Sequence, residues 1–366
     1  MLATSNTLTD CHRQWATRPA DERFLSLHAL RDAMARVRET SRSKVVSTRA
    51  LRVVPTEDNR GLAVTGANGV PFAPTNWAFG QLATLAESPA GYLRTLPAPL
   101  AADCLNWQLG RRSADEVGVL IRRDGDAAQL RAATGPKYGR IFNDDIASML
   151  VDRFGDGVSG DWRVPGVFGK QVAIDHATTT IYGGDRDMFV FLADEERRIE
   201  IADRRDGKAG SLARGFFVSN SEVGAATLRI RTFLFDYVCS NRIVWGVNDV
   251  QTVSIRHTSA APDRWMDEAR PALESYAAST RDSAAGIVQA IADARQHRLD
   301  DVDAFLATRF GPRAVAPLKA IHMREEARPI ETRWDVVTAR TAQARDIGWQ
   351  GDRVDVETAA GELLDM

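Results

Sequence analysis

Apolar and polar positions change period several times along the chain. In DERFLSLHALRDAMARVRE, Phe24, Leu27, Leu30 and Met34 recur at helical spacing, with charges on the other side. From Lys44 the period shortens. KVVSTRALRVVP predicts a strand, and NRGLAVTGANGVPF a second one with Asn-Gly turn chemistry. Pro74-Thr75 opens a helix lined by Ala78, Leu82, Leu85 and Ala86 and stopped at Ser88-Pro89. Another helix follows Pro97 and Pro99, carrying Leu100, Cys104, Leu105 and Gln108. EVGVLIRRD and AQLRAATG read as a hairpin around Asp124-Gly125, after which Asn143 caps a short helix that stops at Gly155.

From Gln171 to about Ile255 the pattern is β-rich: TTTIY, MFVFLA, RRIEIAD, GFFVS, ATLRIRTFLF and VQTVSIRH are the candidate strands. After Pro262 helical periodicity returns in RWMDEARPALESYAASTRDSAAGIVQAIADARQHR, with Pro271 as a kink or restart, and continues in WDVVTARTAQARD and DVETAAGELLDM. The expectation is an α+β fold with a central, mostly antiparallel sheet. Residues 1–160 form an N-terminal mixed helix/strand region, and 161–260 the central β-rich region. Residues 261–366 form a C-terminal helical region with one long helix, either separate from or continuous with the central sheet.

Composition narrows the class. The 366 residues are 44% hydrophobic and 26% charged, as in folded globular chains, and the net charge of −2 argues against uniform coating of nucleic acid or anionic membrane. Arginine supplies almost all the positive charge, since Lys44, Lys137, Lys170, Lys208 and Lys319 are the only lysines. Cys11, Cys104 and Cys239 are widely spaced, which fits a reducing compartment better than a disulfide framework. With no leader pattern at the start and no apolar run of bilayer length, the expectation is a cytoplasmic protein without a membrane partner.

Familiar catalytic patterns are missing. The six histidines are scattered, and there is no glycine-rich phosphate loop and no G-x-S-x-G elbow. No cofactor is expected. Asp185 and Asp187 in YGGDRDMF, together with Glu222, are the one set of carboxylates offered as metal ligands; the other reading makes them turn and cap residues. Cys239 reads as a small buried hydrophobe.

The segment GFFVSNSEVGAATLRIRTFLFDYVCSNRIVWG is denser. If Thr227–Phe235 is a strand, alternation puts Leu228, Ile230, Thr232 and Leu234 on one face and Arg229, Arg231, Phe233 and Phe235 on the other. A row of arginines and rings suits single strands of nucleic acid, with charge for phosphates and ring faces for bases. The same alternation fits a central strand covered on both sides. GPKYGR adds Lys137, Tyr138 and Arg140 in a loop, and Arg242 lies just beyond the strand. These eight residues are the candidate nucleic-acid-binding set.

DRDMFVFL at Asp185–Leu192, GFFVSNSEVG at Gly215–Gly224 and FLFDYVCSNRIVWG at Phe233–Gly246 resemble the DUF932 family. PTNWAFGQLA from Pro74 and TRWDVVTARTAQA from Thr332 resemble it too. The resemblance implies a phage or plasmid setting and supplies no catalytic residues. The leading expectation is a homo-oligomeric protein that binds or anneals single-stranded DNA in recombination. The alternatives are a metal-dependent nuclease or nucleic-acid-modifying enzyme, and a non-catalytic protein acting against a host defence factor.

Overall fold

A computed structural model describes residues 20–366 apart from 67–68, 112–115, 126, 165–173, 177–178, 195, 205–207, 237–240, 244–252, 279–281 and 348–349. The fold is α+β, as the periodicity predicts, and it is organised around two sheets.

The first sheet is six-stranded and mixed. In chain order its strands are β2 (Ser41–Ser47), β3 (Arg52–Pro55), β4 (Leu62–Thr65), β5 (Pro71–Pro74), β6 (Glu116–Asp124) and β7 (Ala127–Thr134). The spatial order is β2-β6-β7-β5-β4-β3, with β5 and β7 parallel and every other pair antiparallel. KVVSTRALRVVP is therefore two strands rather than one. The short turn Thr48–Ala50 breaks it, with Thr48 buried and accepting from Leu51 N–H at 3.1 Å. Because β2 and β3 stand at opposite ends of the strand order yet only a few residues separate them, the sheet must curl until its edges approach at that turn.

Three helices fill the concave side. Helix α2 (Asn76–Leu85) is capped by the Thr75 hydroxyl, which accepts from Ala78 N–H; α3 (Ala90–Leu93) and α4 (Ala98–Arg111) follow it. Phe79, Leu82, Leu105 and Leu109 pack there on Val53, Val64, Val117 and Val119. Asn106 of α4 also satisfies the free edge of β3. Its amide accepts from Val53 N–H at 2.8 Å and donates to Val53 C=O at 2.7 Å, as a neighbouring strand would.

The second sheet has nine strands, all paired antiparallel. Its main path runs through β1 (Arg23–Phe24), β9 (Ile181–Gly183), β10 (Met188–Asp194), β12 (Lys208–Asn220), β13 (Leu228–Asp236) and β14 (Asn241–Ile243). Strand β8 (Trp162–Arg163) adds to β10, β11 (Ile199–Arg204) to β12 and β15 (Val253–Ile255) to β13.

Both faces of this sheet are covered, so MFVFLA and GFFVS are runs of apolar residues instead of clean alternations. On one face Val190, Phe216, Val218 and Ile230 meet α1 (Leu27–Thr40) and α5 (Asn143–Phe154) through Leu30, Met34, Ile146 and Leu150. On the other, Phe189, Phe191 and Phe217 meet Val354.

The long helical stretch after Pro262 begins as α6 (Ala261–Arg264), widens into a π turn at Trp265–Ala269 and continues as α7 (Arg270–Ala278). The π turn lies just ahead of Pro271, whose ring has no N–H to give and would crowd the carbonyl one turn back. Helix α8 (Asp282–Gln296) is the longest element of the region, and α9 (Val302–Phe310), α10 (Val315–Glu326), α11 (Arg333–Ala344) and α12 (Gln350–Gly361) complete it. Ile291, Leu306, Leu318 and Trp334 enclose Leu212 and Leu234 at the far end of the long strands. No helix among the described residues is long and apolar enough to cross a membrane.

Candidate nucleic-acid interface

Between β12 and β13 the chain turns through Ser221–Thr227, and the first part of this turn is deeply buried. Asn220, Ser221 and Val223 have no exposure, and Glu222 is 2% exposed. Glu222 is held by charge and by backbone. Its Oε2 accepts from Arg131 Nη1 at 2.7 Å, and its Oε1 accepts from the Asn143 N–H at 2.8 Å. Asn143 thus begins α5 as its first helical residue, not as its cap; the cap comes from a carboxylate far along the chain. Asn220 Nδ2 donates to Ile141 C=O at 2.9 Å and to Asn143 Oδ1 at 2.8 Å, and Arg140 donates to the Glu222 carbonyl.

The same turn grips the first sheet. Val223 C=O accepts from Trp77 Nε1 at 3.0 Å and from Gln81 Nε2 at 2.7 Å, while Gln81 Oε1 accepts from Ala133 N–H at 2.9 Å. Gly224 has φ +88°, and a Cβ there would sit 3.3 Å from both Gln81 and Thr134. The signature turn is therefore a polar latch joining two separately cored sheets.

Around the latch lies a layer of half-buried rings with two cations, Arg140, which is buried, and Arg186, which is half-buried. Tyr138 donates to Ser221 C=O at 2.7 Å and stacks on His257, with centroids 4.8 Å apart and planes inclined by 18°. The Arg140 guanidinium lies 5.1 Å from the Tyr138 ring, and the Arg186 guanidinium lies 4.6 Å from the Trp77 ring. Burial raises the Tyr138 phenol above its ordinary range and pushes the His257 imidazole below its own. Neutral His257 has its Nδ1 3.0 Å from the Gly139 carbonyl, so Nδ1 is the nitrogen that carries the proton. Gly139 N–H donates back to His257 C=O at 3.1 Å. Lys137 and Arg256 are exposed beside this layer.

The arginines of β13 sit on the opposite side of the sheet from its Leu228/Ile230 core and meet α12. Arg229 reaches Asp355 at 3.5 Å and donates to Thr227 Oγ1 at 3.2 Å; Arg231 donates to Thr358 Oγ1 at 3.1 Å. Burial, followed by the neighbouring Arg229 charge, lowers the Arg231 pKa. Phe233 and Phe235 pair in the ladder with Gly215 and Ala213, and Arg242 pairs with Phe235. The side chains of Phe233, Phe235 and Arg242 lie outside the described residues, as does Cys239. Ser254 of β15 stands opposite Arg229, and Arg256 follows the end of that strand as an exposed residue next in sequence to His257.

Of the carboxylates, Asp187 is buried, Asp185 is half-buried, and Ser221 Oγ donates to the Arg186 carbonyl between them at 2.7 Å. Glu222 is engaged by Arg131 and Asn143 as described. Among the described residues no group of three His, Cys, Asp or Glu side chains is placed to share a metal ion. Arg131, Trp77, Gln81 and His257 belong to the site but were missed by pattern alone. Arg131 carried a signal, being a lone charge inside the apolar strand AQLRAATG, where a buried cation requires a buried anion.

These features define an α+β protein whose two sheets meet at a buried turn. The model of the Domain of unknown function (DUF932) matches residues 168–361, just over half of the chain, so the chain belongs to the DUF932 family. The match takes in most of the second sheet, the latch turn and the C-terminal helices, and the first sheet lies ahead of it. No curated protein and no solved structure matches the chain.

Proposed function

We propose that the chain is a nucleic-acid-binding protein of phage or plasmid DNA metabolism, one that binds or anneals single strands as a homo-oligomer. The observation that carries the reading is the layer around the latch. Two ring–cation groups, Tyr138–His257 with Arg140 and Trp77 with Arg186, flank one turn, with exposed Lys137 and Arg256 at the margin. Rings that are half-buried lose little freedom when a base stacks on them, and cations at the edge meet phosphates without sequence preference. Strand binding and annealing need no acid or base, in keeping with a latch whose one buried carboxylate is engaged on both oxygens.

The test is fluorescence anisotropy with a labelled single-stranded oligonucleotide over a salt series. Binding is expected at low salt and should weaken steeply as salt rises. Lys137→Ala and Arg256→Ala should each reduce the slope of log K against log salt by roughly 0.7, the contribution of one phosphate contact on a single strand. No binding at low salt, or slopes unmoved by both variants, would sink the reading.

A further inference from the structure

The curled first sheet holds a cavity of about 750 Å³, well away from the latch in chemistry as well as in lining. Its walls continue the core between that sheet and its helices. Val64, Phe72, Val119 and Leu130 form the deep part, with Val46 and Ile121 nearer the opening. Arg42, Lys44 and Arg123 stand at the mouth, all exposed, with Glu39 as the one acid among them.

The gradient from apolar to basic is written into two neighbouring strands. Along β2 the residues on the cavity side run Val46, Lys44, Arg42; along β6 they run Val119, Ile121, Arg123. The register pairs Lys44 with Val119 and Arg42 with Ile121, so both strands become polar toward the same end. Arg123 lies with its guanidinium 5.5 Å from the Phe72 ring, bringing its charge over the apolar floor.

We infer that this cavity binds a small amphipathic anion: a single apolar chain or flat body with one carboxylate or phosphate head held at Arg42, Lys44 and Arg123. Charge complementarity at the mouth selects the head, and the aliphatic lining selects the body. A volume of 750 Å³ falls within the roughly 300–1,000 Å³ usual for small-ligand sites. A nucleobase is a poorer fit, because reading a base edge needs placed donors and acceptors. Among the described residues the one side-chain hydroxyl in the lining, Thr40 Oγ1, already donates to Arg36 C=O at 2.8 Å and accepts from Arg122 Nε at 3.3 Å. The site is independent of the strand-binding reading, and failure of either leaves the other standing.

Isothermal titration calorimetry of the full chain with dodecanoate and with dodecyl phosphate, against dodecanol, tests it. Saturable binding of at least one anion is expected, and which head binds identifies the source. Dodecanol should bind about tenfold more weakly or worse, since it forgoes the charge-assisted contacts. Lys44→Glu and Arg123→Glu should each weaken the anion about tenfold, and Val46→Trp, at a half-buried position near the opening, should abolish binding with unchanged circular dichroism. The inference is overturned if neither anion binds at about 1 mM. It is equally overturned if dodecanol binds as tightly as the anions, or if all three variants keep wild-type affinity. Binding only to anionic phospholipid vesicles, without the monomeric anions, would make the mouth a membrane-contact patch and also overturn it.

Discussion

Replacing Glu222 by Gln tests the latch most directly. The change is nearly isosteric, so packing is kept and only charge and hydrogen-bond polarity are altered. Arg131, 3% exposed, would then be a buried cation without its anion, and the new amide would turn either a donor toward Arg131 or a donor toward the Asn143 N–H. An exposed ion pair contributes about 0–1 kcal/mol, whereas removing one partner of a buried pair costs about 3–5 kcal/mol because the other charge stays desolvated. Loss of the charged cap on α5 belongs to the same event and does not simply add to it. At roughly 2–4 °C per kcal/mol for a domain of 150–250 residues, the melting temperature should fall by about 10 °C. Thermal melts by circular dichroism measure this, and the double variant Glu222→Gln with Arg131→Met supplies the control. With the cation gone as well, much of the loss should be recovered. A drop of less than about 1 kcal/mol in Glu222→Gln, or a double variant no better than the single, would refute the buried-pair account.

Two further outcomes follow from the same region. Gly139→Ala places a Cβ 1.8 Å from the Thr258 carbonyl, so the loop must move; a loss of about 3 kcal/mol or more in chemical denaturation is expected, and a neutral result would mean the two loops separate freely. Stability should also decline as pH falls below about 6.5, because burial lowers the pKa of both His257 and His322, and the unfolded chain then binds protons that the folded chain refuses. The loss grows until the depressed folded values are passed. Asp144 and Asp145, raised by burial, act in the opposite sense, but only in the more acidic carboxylate range. Urea titrations across this window should show the slope, and His257→Phe, which retains a ring on Tyr138, should reduce it while leaving the part due to His322.

Local order was legible where the responsible groups are close in sequence. Thr75 caps α2 as Pro74-Thr75 suggests, the hairpin at Asp124-Gly125 has its glycine at φ +58°, and the candidate strands of the central region each overlap a strand, although β12 starts at Lys208, well ahead of GFFVS, and β14 has no counterpart among them. What alternation could not say is which neighbour covers each side. It assigned Arg229 and Arg231 to one face, but that they meet Asp355 and Thr358 of α12 is a matter of chain return over more than a hundred residues. The same limit explains Asn143, a residue type favoured at caps, whose helix is capped by Glu222 instead. The division of KVVSTRALRVVP depends on Thr48 being buried at a corner, which no local period records. The candidate site was half legible: Tyr138 and Arg140 were singled out, yet their partners come from two distant parts of the chain, the turn at Ser221-Glu222 and His257.

The distribution of apolar and polar burial explains why the latch has the residues it has. Each sheet has its own apolar cluster, one built on Phe79, Leu105 and Val117 and the other on Phe216, Val190 and Leu150. Apolar contact alone would hold two such bodies together in many relative positions, since burial rewards area and not direction. Directional bonds remove that freedom. Glu222 and the Val223 carbonyl are tied to partners with one acceptable geometry on β7 and α2 of the first sheet's side, while Asn220 and Glu222 fix the turn itself to the start of α5. A polar junction of this kind costs desolvation and contributes specificity, provided its charges are paired. It also places the Tyr138–His257 stack and the Trp77–Arg186 stack at a fixed separation on either side of one turn, a requirement for any surface that grips successive units of a chain-like partner.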